Sequence, residues 1–165
     1  MNLLTKYTYA EADIPTQDKV FINLLRKFLN DEPELNRLER VRENTDLELY
    51  HALLMTLDQI NVEFNPVTSY TEFTSIPSWY ILATGATLQV LTSKGILSAR
   101  NTLTYNDSGG VTVQDYDKYG RYINYFNLLI NKFIRSVQQW KESENINGAY
   151  GGNDNGLASE YSWEY

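Results

Sequence analysis

The chain has 165 residues, a formal charge of −7, 21% charged residues and no cysteine. That length suits one domain with a real core, or one domain with tails. The acidic balance argues against a nucleic-acid grip, because such affinity comes mainly from Lys and Arg neutralising phosphates. The lack of cysteine excludes a disulfide framework and thiolate chemistry.

Residues Met1 to Thr16 show no period and include Pro15, so an extended N-terminal arm is expected over 1–17. No basic region leads into an apolar core there, so no secretory signal is expected. Asp18 or Thr16 then caps a first helix to about Asn30, with Val20, Phe21, Leu24, Leu25, Phe28 and Leu29 as its apolar face. From Glu34 to Glu43 charges dominate, and Leu35, Leu38 and Val41 recur every third residue. A short helix or helical turn with a solvated face is expected there. Thr45 or Asp46 caps a second helix, with Glu48 in its first turn. Leu47, Tyr50, Leu53, Leu54, Leu57 and Ile60 form its apolar face, with His51 at the edge. His51 has no Cys or carboxylate spaced with it as a metal set requires. Asn61 to Ser75, with Pro66, reads as an extended crossing.

Phe73 to Ser93 contains no charged residue. Its Pro, Gly, Gln, Ser and Thr content is too polar for a membrane span, so it predicts a buried central helix over Pro77 to Ala99. Pro77 suits the first turn, behind a cap at Ser75 or Thr74. Trp79, Leu82, Ala86, Val90 and Leu97 share one side, and Ile81, Leu88 and Ala99 lie on another. A helix apolar on several sides is covered on several sides. Ala83, Gly85 and Ala86 allow a neighbouring backbone to come close, and Gly95 is a possible break.

Leu103 to Val113 places Asn-Asp-Ser-Gly-Gly between two β-prone runs, a hairpin signal. Asp115 then caps the longest helix, to about Glu142. Tyr116, Tyr119, Ile123, Phe126, Ile130, Phe133, Ile134 and Val137 make its stripe. Tyr122, Leu129 and Trp140 widen that stripe, and Tyr125 and Leu128 lie outside it. Tyr122, Tyr125, Leu128 and Leu129 are therefore candidate subunit-interface residues. Gly120 is a candidate point of close approach. Lys118, Arg121, Lys132 and Arg135 lie on the polar side. The glycine-broken tail from Ile146 to Tyr165 has no Lys or Arg and carries singly spaced anchors: Tyr150, Leu157, Tyr161, Trp163 and Tyr165. Such spacing suits a segment that docks on a partner.

The expected fold is mainly α: about four main helices in a bundle, a small hairpin at about 103–113, a helical domain over 18–145, and arms at both ends. No catalytic, cofactor-binding or metal-ligating residues are assigned. One histidine and no cysteine remove the commonest nucleophile–base pairs, and no nucleotide-binding or hydrolase motif is present.

The order of features resembles the head-to-tail connector, or neck adaptor, proteins of tailed bacteriophages. The apolar helix PSWYILATGATLQVLTSKGILSA leads into the YNDSGGVTV hairpin, then the Tyr-rich helix KYGRYINYFNLLINKFIRSVQQWK, then the broken tail. The resemblance is one of layout over roughly Asp18 to Tyr165, with no diagnostic motif, and carries over no functional residues. It implies a non-enzymatic virion subunit in a homo-oligomeric ring, twelvefold in the family. Such a ring joins portal and capsid vertex to the tail, is assembled in the host cytoplasm, and encloses a channel through which DNA passes without sequence-specific binding. Partners are then other copies, the portal and neighbouring neck or tail proteins, and no membrane. The alternatives are another neck or tail-completion subunit, or a soluble helical nucleic-acid-binding protein.

Overall fold

The computed structural model describes residues 10–35, 40–100, 104–106, 112–114 and 117–151. Among them are four α-helices: α1 (Lys19–Leu29), α2 (Asp46–Glu63), α3 (Trp79–Arg100) and α4 (Asp117–Gly151). Short 3-10 turns lie at Glu11–Asp13 and Phe73–Ser75. The protein is mainly helical. Strands β1 (Thr104–Asn106) and β2 (Thr112–Gln114) pair antiparallel with Tyr105 opposite Val113. The expected turn between them, at 107–111, lies outside the described residues.

Local chemistry sets the helix ends. Thr45 and Glu48 form the reciprocal pair that satisfies two otherwise orphaned amides. The Glu48 N–H donates to Thr45 Oγ1 at 3.2 Å, and the Thr45 N–H donates to Glu48 Oε2 at 2.7 Å. Asn30 ends α1 in the left-handed region at φ 55°, a conformation Asn tolerates. Asp18 occupies the N-cap position of α1 without making a side-chain cap bond. It accepts from the Tyr50 hydroxyl at 3.2 Å instead.

α3 is the centre of the fold. Every side chain from Ile81 to Leu88 is buried. It packs most extensively on α4 and α2, and more lightly on α1. Two threonines in this apolar layer donate their hydroxyl protons to the backbone one turn earlier: Thr56 to Ala52 O at 2.8 Å and Thr87 to Ala83 O at 2.7 Å. At Gly85 three helices meet. A methyl group there would overlap Thr56 Cγ2 and stand 2.7 Å from Phe133 Cε2. The space at Gly85 is thus taken by the side chains of Thr56 and Phe133, not by a neighbouring backbone. Gly120, the other candidate, has nothing within 4 Å of its absent Cβ. An aromatic group of Phe21, Phe73, Trp79 and Tyr50 seals one end of the core, and Phe64 meets Phe133 edge-on at 5.9 Å.

Several sequence expectations need correction. α1 buries Ile22, Leu25 and Arg26, while Val20, Leu24 and Phe28 are exposed; α1 lies on the bundle by a narrow side, and a cation occupies part of it. α2 runs to Glu63, so Asn61 and Val62 are helical and not part of an extended crossing. α3 begins at Trp79, not Pro77, because Phe73 and Ile76 are both drawn into the core by a 3-10 turn just before it. It passes through Gly95 unbroken, and Leu97 faces outward. α4 continues to Gly151, so the boundary expected at 145/146 falls inside a helix. Ile146 and Tyr150 therefore belong to α4, while Leu157, Tyr161, Trp163 and Tyr165 lie outside the described residues. The described part of the segment around 34–43 holds a turn at Pro33–Leu35 and no helix; 36–39 lie outside the described residues. The N-terminal arm is not wholly detached, since Ile14 is buried in the core. Residues 1–9, and the expected cap at Asp115, lie outside the described residues.

Candidate interaction surface

Two buried polar clusters lock the fold. At the end of α1, the Arg26 guanidinium donates to Asp31 Oδ2 at 2.8 Å, to the Asn44 carbonyl at 3.0 Å and to Asp46 Oδ1 at 2.5 Å. Asp31 in turn accepts from the Glu43 N–H at 2.6 Å, the Asn44 N–H at 3.1 Å and Asn44 Nδ2 at 2.9 Å. The cluster ties the C-terminus of α1 to the N-terminus of α2, where Asp46 also complements the helix dipole. At the other end of α2, the Lys141 ammonium from α4 is buried. It donates to the carbonyls of Ile60 at 2.5 Å, Phe64 at 2.7 Å and Pro66 at 2.8 Å, and to Thr68 Oγ1 at 3.3 Å. A cation capping the carbonyl end of a helix is favourable there, while burial pulls the Lys141 pKa below its ordinary value. Beside it, Asn61 holds the following loop: its Nδ2 donates to Tyr70 O at 2.8 Å, and its Oδ1 accepts from Thr68 Oγ1 at 2.8 Å and from the Tyr70 N–H at 3.0 Å. Tyr70 then stacks on Trp140 at 5.7 Å.

None of these groups stood out as functional in the sequence. Lys141 follows Phe133 and Val137 at helical spacing, so its place on the buried stripe is the signal that could have found it. Arg26 likewise follows Ile22 by one turn. The charges of Arg26, Asp31 and Lys141 are engaged in holding elements together.

The outer face of α4 is different. Arg121, Tyr125, Leu128, Lys132 and Arg135 are exposed and recur at alternating steps of four and three, one continuous seam. Tyr125 and Leu128 are each 58% exposed. The other two predicted interface residues turn inward. Leu129 packs against the core, and half-buried Tyr122 lines an apolar groove of about 270 Å³ with Leu91, Gly95, Ile96, Ile123 and Phe126. Thus the structure divides the four: Tyr125 and Leu128 are presented outward, and Tyr122 and Leu129 support the α3–α4 packing. Val20, Leu24 and Phe28 on α1, with Tyr80 6.3 Å from Phe28, form a second exposed apolar strip.

His51 borders a groove of about 280 Å³ of mixed polar and apolar lining, with Glu48, Met55, Gln89 and Lys94. Lys94 is paired with Glu43 at 3.1 Å. Among the described residues, no three His, Cys, Asp or Glu side chains are grouped to hold a metal ion. None of the helices there is long and apolar enough to cross a membrane. The chain matches no protein-family model, no curated protein and no solved structure.

Proposed function

We propose that the chain is a non-enzymatic structural subunit of a tailed-phage virion, assembling into a ring that joins the portal and capsid vertex to the tail. The observation that carries this reading is the seam on α4. A folded subunit with its core closed on α3 still presents Tyr125 and Leu128 to water in the middle of its longest helix. Aromatic and large aliphatic side chains framed by Arg are the composition of protein interfaces. The exposed strip of Val20, Leu24 and Phe28 on α1 leaves a further apolar surface for a portal or tail partner.

In this reading the paired strands at 104–106 and 112–114 act as a contact element, because an isolated two-stranded ladder is marginal by itself. The segment carrying Leu157, Tyr161, Trp163 and Tyr165 docks on the portal or on the next subunit. The acidic balance lets DNA slide through the ring without being held.

Negative-stain microscopy of the full chain and of a chain ending at 151 tests this. Rings with a central opening are expected from the full chain. The shortened chain is expected to keep its helical circular dichroism and to lose attachment to its partner. Full-chain particles without rings at any protein concentration would overturn the proposal.

A further inference from the structure

The outward seam of α4 has a counterpart on α2. Between Lys118 and Lys141 the chain contains no acidic residue, and from Asp46 to Glu63 it contains no Lys or Arg. On α2 the matching line is Glu48, His51, Met55, Asp58 and Val62, at alternating steps of three and four, with Glu63 beside it; Glu48, Met55, Val62 and Glu63 are exposed, and His51 and Asp58 are half-buried. Met55 is 48% and Val62 70% exposed. Both seams run for about 21 Å at the helical rise per residue. Each holds an unbranched or γ-branched apolar residue at its middle: Met55 on α2 and Leu128 on α4.

We propose that the α4 seam of one copy packs in parallel on the α2 seam of a second copy. In that register Arg121 meets Glu48, Tyr125 meets His51, Leu128 meets Met55, Lys132 meets Asp58, and Arg135 meets Val62 and the neighbouring Glu63. Charge complementarity selects a second copy as the occupant. This chain itself supplies both the acid-free stretch of α4 and the helix α2 without Lys or Arg, with apolar residues at the same spacing. The apolar centre of the seam distinguishes it from a phosphate-tracking surface, which needs cations at every step. Because the two patches are unlike, the contact is head-to-tail, and repeating it generates a closed ring or a filament. This rests on the reading of the chain as a self-assembling subunit and names the surfaces it uses.

The natural chain has no cysteine, so introduced thiols report cleanly. Met55→Cys and Leu128→Cys lie at exposed positions, and thermal unfolding checks that each variant keeps its fold. Under mild oxidation the double variant is expected to give a ladder of covalent multimers on a non-reducing gel. Each single variant is expected to stay one chain long, and an equimolar mixture of the two to give covalent dimers. Adding Lys132→Glu and Arg135→Glu to the double variant is expected to abolish the ladder.

Dimers from either single variant would mean a two-fold contact and overturn the proposal, as would a double variant that stays one chain long. If that happens while the unmodified protein is multimeric by native mass, the seam pairing is wrong and self-assembly stands; if the unmodified protein is also one chain long, both fail. A ladder that survives the two Glu substitutions, with retention on DNA lost instead, would make α4 a nucleic-acid surface.

Discussion

At the scale of single residues, Gly85 and Asp18 give the sharpest tests. Gly85→Ala adds a methyl group against Thr56 and Phe133, where three helices already touch. Overpacking of this kind costs about 1–3 kcal/mol, more than offsetting the helix preference for Ala of at most about 1 kcal/mol. A lower urea midpoint is expected. Gly120→Ala has open space around it and is expected to raise that midpoint, for a gain in stability of up to about 1 kcal/mol. Asp18 carries the pH dependence. Burial raises its carboxyl pKa above the ordinary 3.8, with Glu72 adding to the rise and the Tyr50 hydroxyl opposing it. The fold therefore favours the protonated form. That contribution is fully present below about pH 3.8 and is lost as pH rises through the elevated native pKa. Asp18→Asn is expected to gain stability relative to the natural chain as pH rises through that window, and to hold a constant difference above it. Urea midpoints from about pH 3 to 7 check the sign; a gain for the natural chain over the same range would contradict it.

At the scale of elements, α2 is held by an ion at each end. Arg26→Met leaves Asp31 buried without its cation, a change expected to cost about 3–5 kcal/mol. Lys141→Met strips a donor from the carbonyls of Ile60, Phe64 and Pro66, for an expected loss of about 1–3 kcal/mol; chemical denaturation measures both. These clusters explain what the sequence disclosed and what it hid. The Thr45–Glu48 cap, the charge-free run from Phe73 to Ser93 and the stripe through Phe133 and Val137 are local patterns, set by spacing and capping, and could be read directly. Arg26 and Lys141 sit on buried stripes because distant carboxylates and carbonyls converge on them, and that convergence is tertiary. The same cause misdirects the reading of α1. Its Val20, Leu24 and Phe28 repeat as a core face would, yet the bundle takes the side bearing Ile22, Leu25 and Arg26. Of the interface candidates, periodicity separated Tyr125 and Leu128 from the main stripe, but could not say that Tyr122 and Leu129 would be used within the subunit. The end of α4 was masked by Asn147, Gly148 and Gly151, poor helix formers that nonetheless stand within the helix to its last residue.

At the scale of the whole molecule, the net charge of −7 conceals a division. The Arg121–Arg135 seam of α4 is basic and apolar, while α2 carries acids, one histidine and one tyrosine and no Lys or Arg. Tyr presents a large apolar ring with a polar tip, which suits interfaces, and Tyr125 and Tyr80 are exposed. A subunit closed around α3 but apolar on its outer helices is expected to self-associate, and the basic–acidic complementarity makes that association salt-sensitive. Sedimentation velocity in low and high salt is expected to show a smaller average mass in high salt; no change would remove the electrostatic part of the account. The central proposal is that the outward seams of α4 and α2 meet other copies. Native mass measurement of the full chain across a concentration series tests it most directly. The account predicts discrete multimers that grow in population with concentration. A single species with the mass of one chain throughout would contradict it.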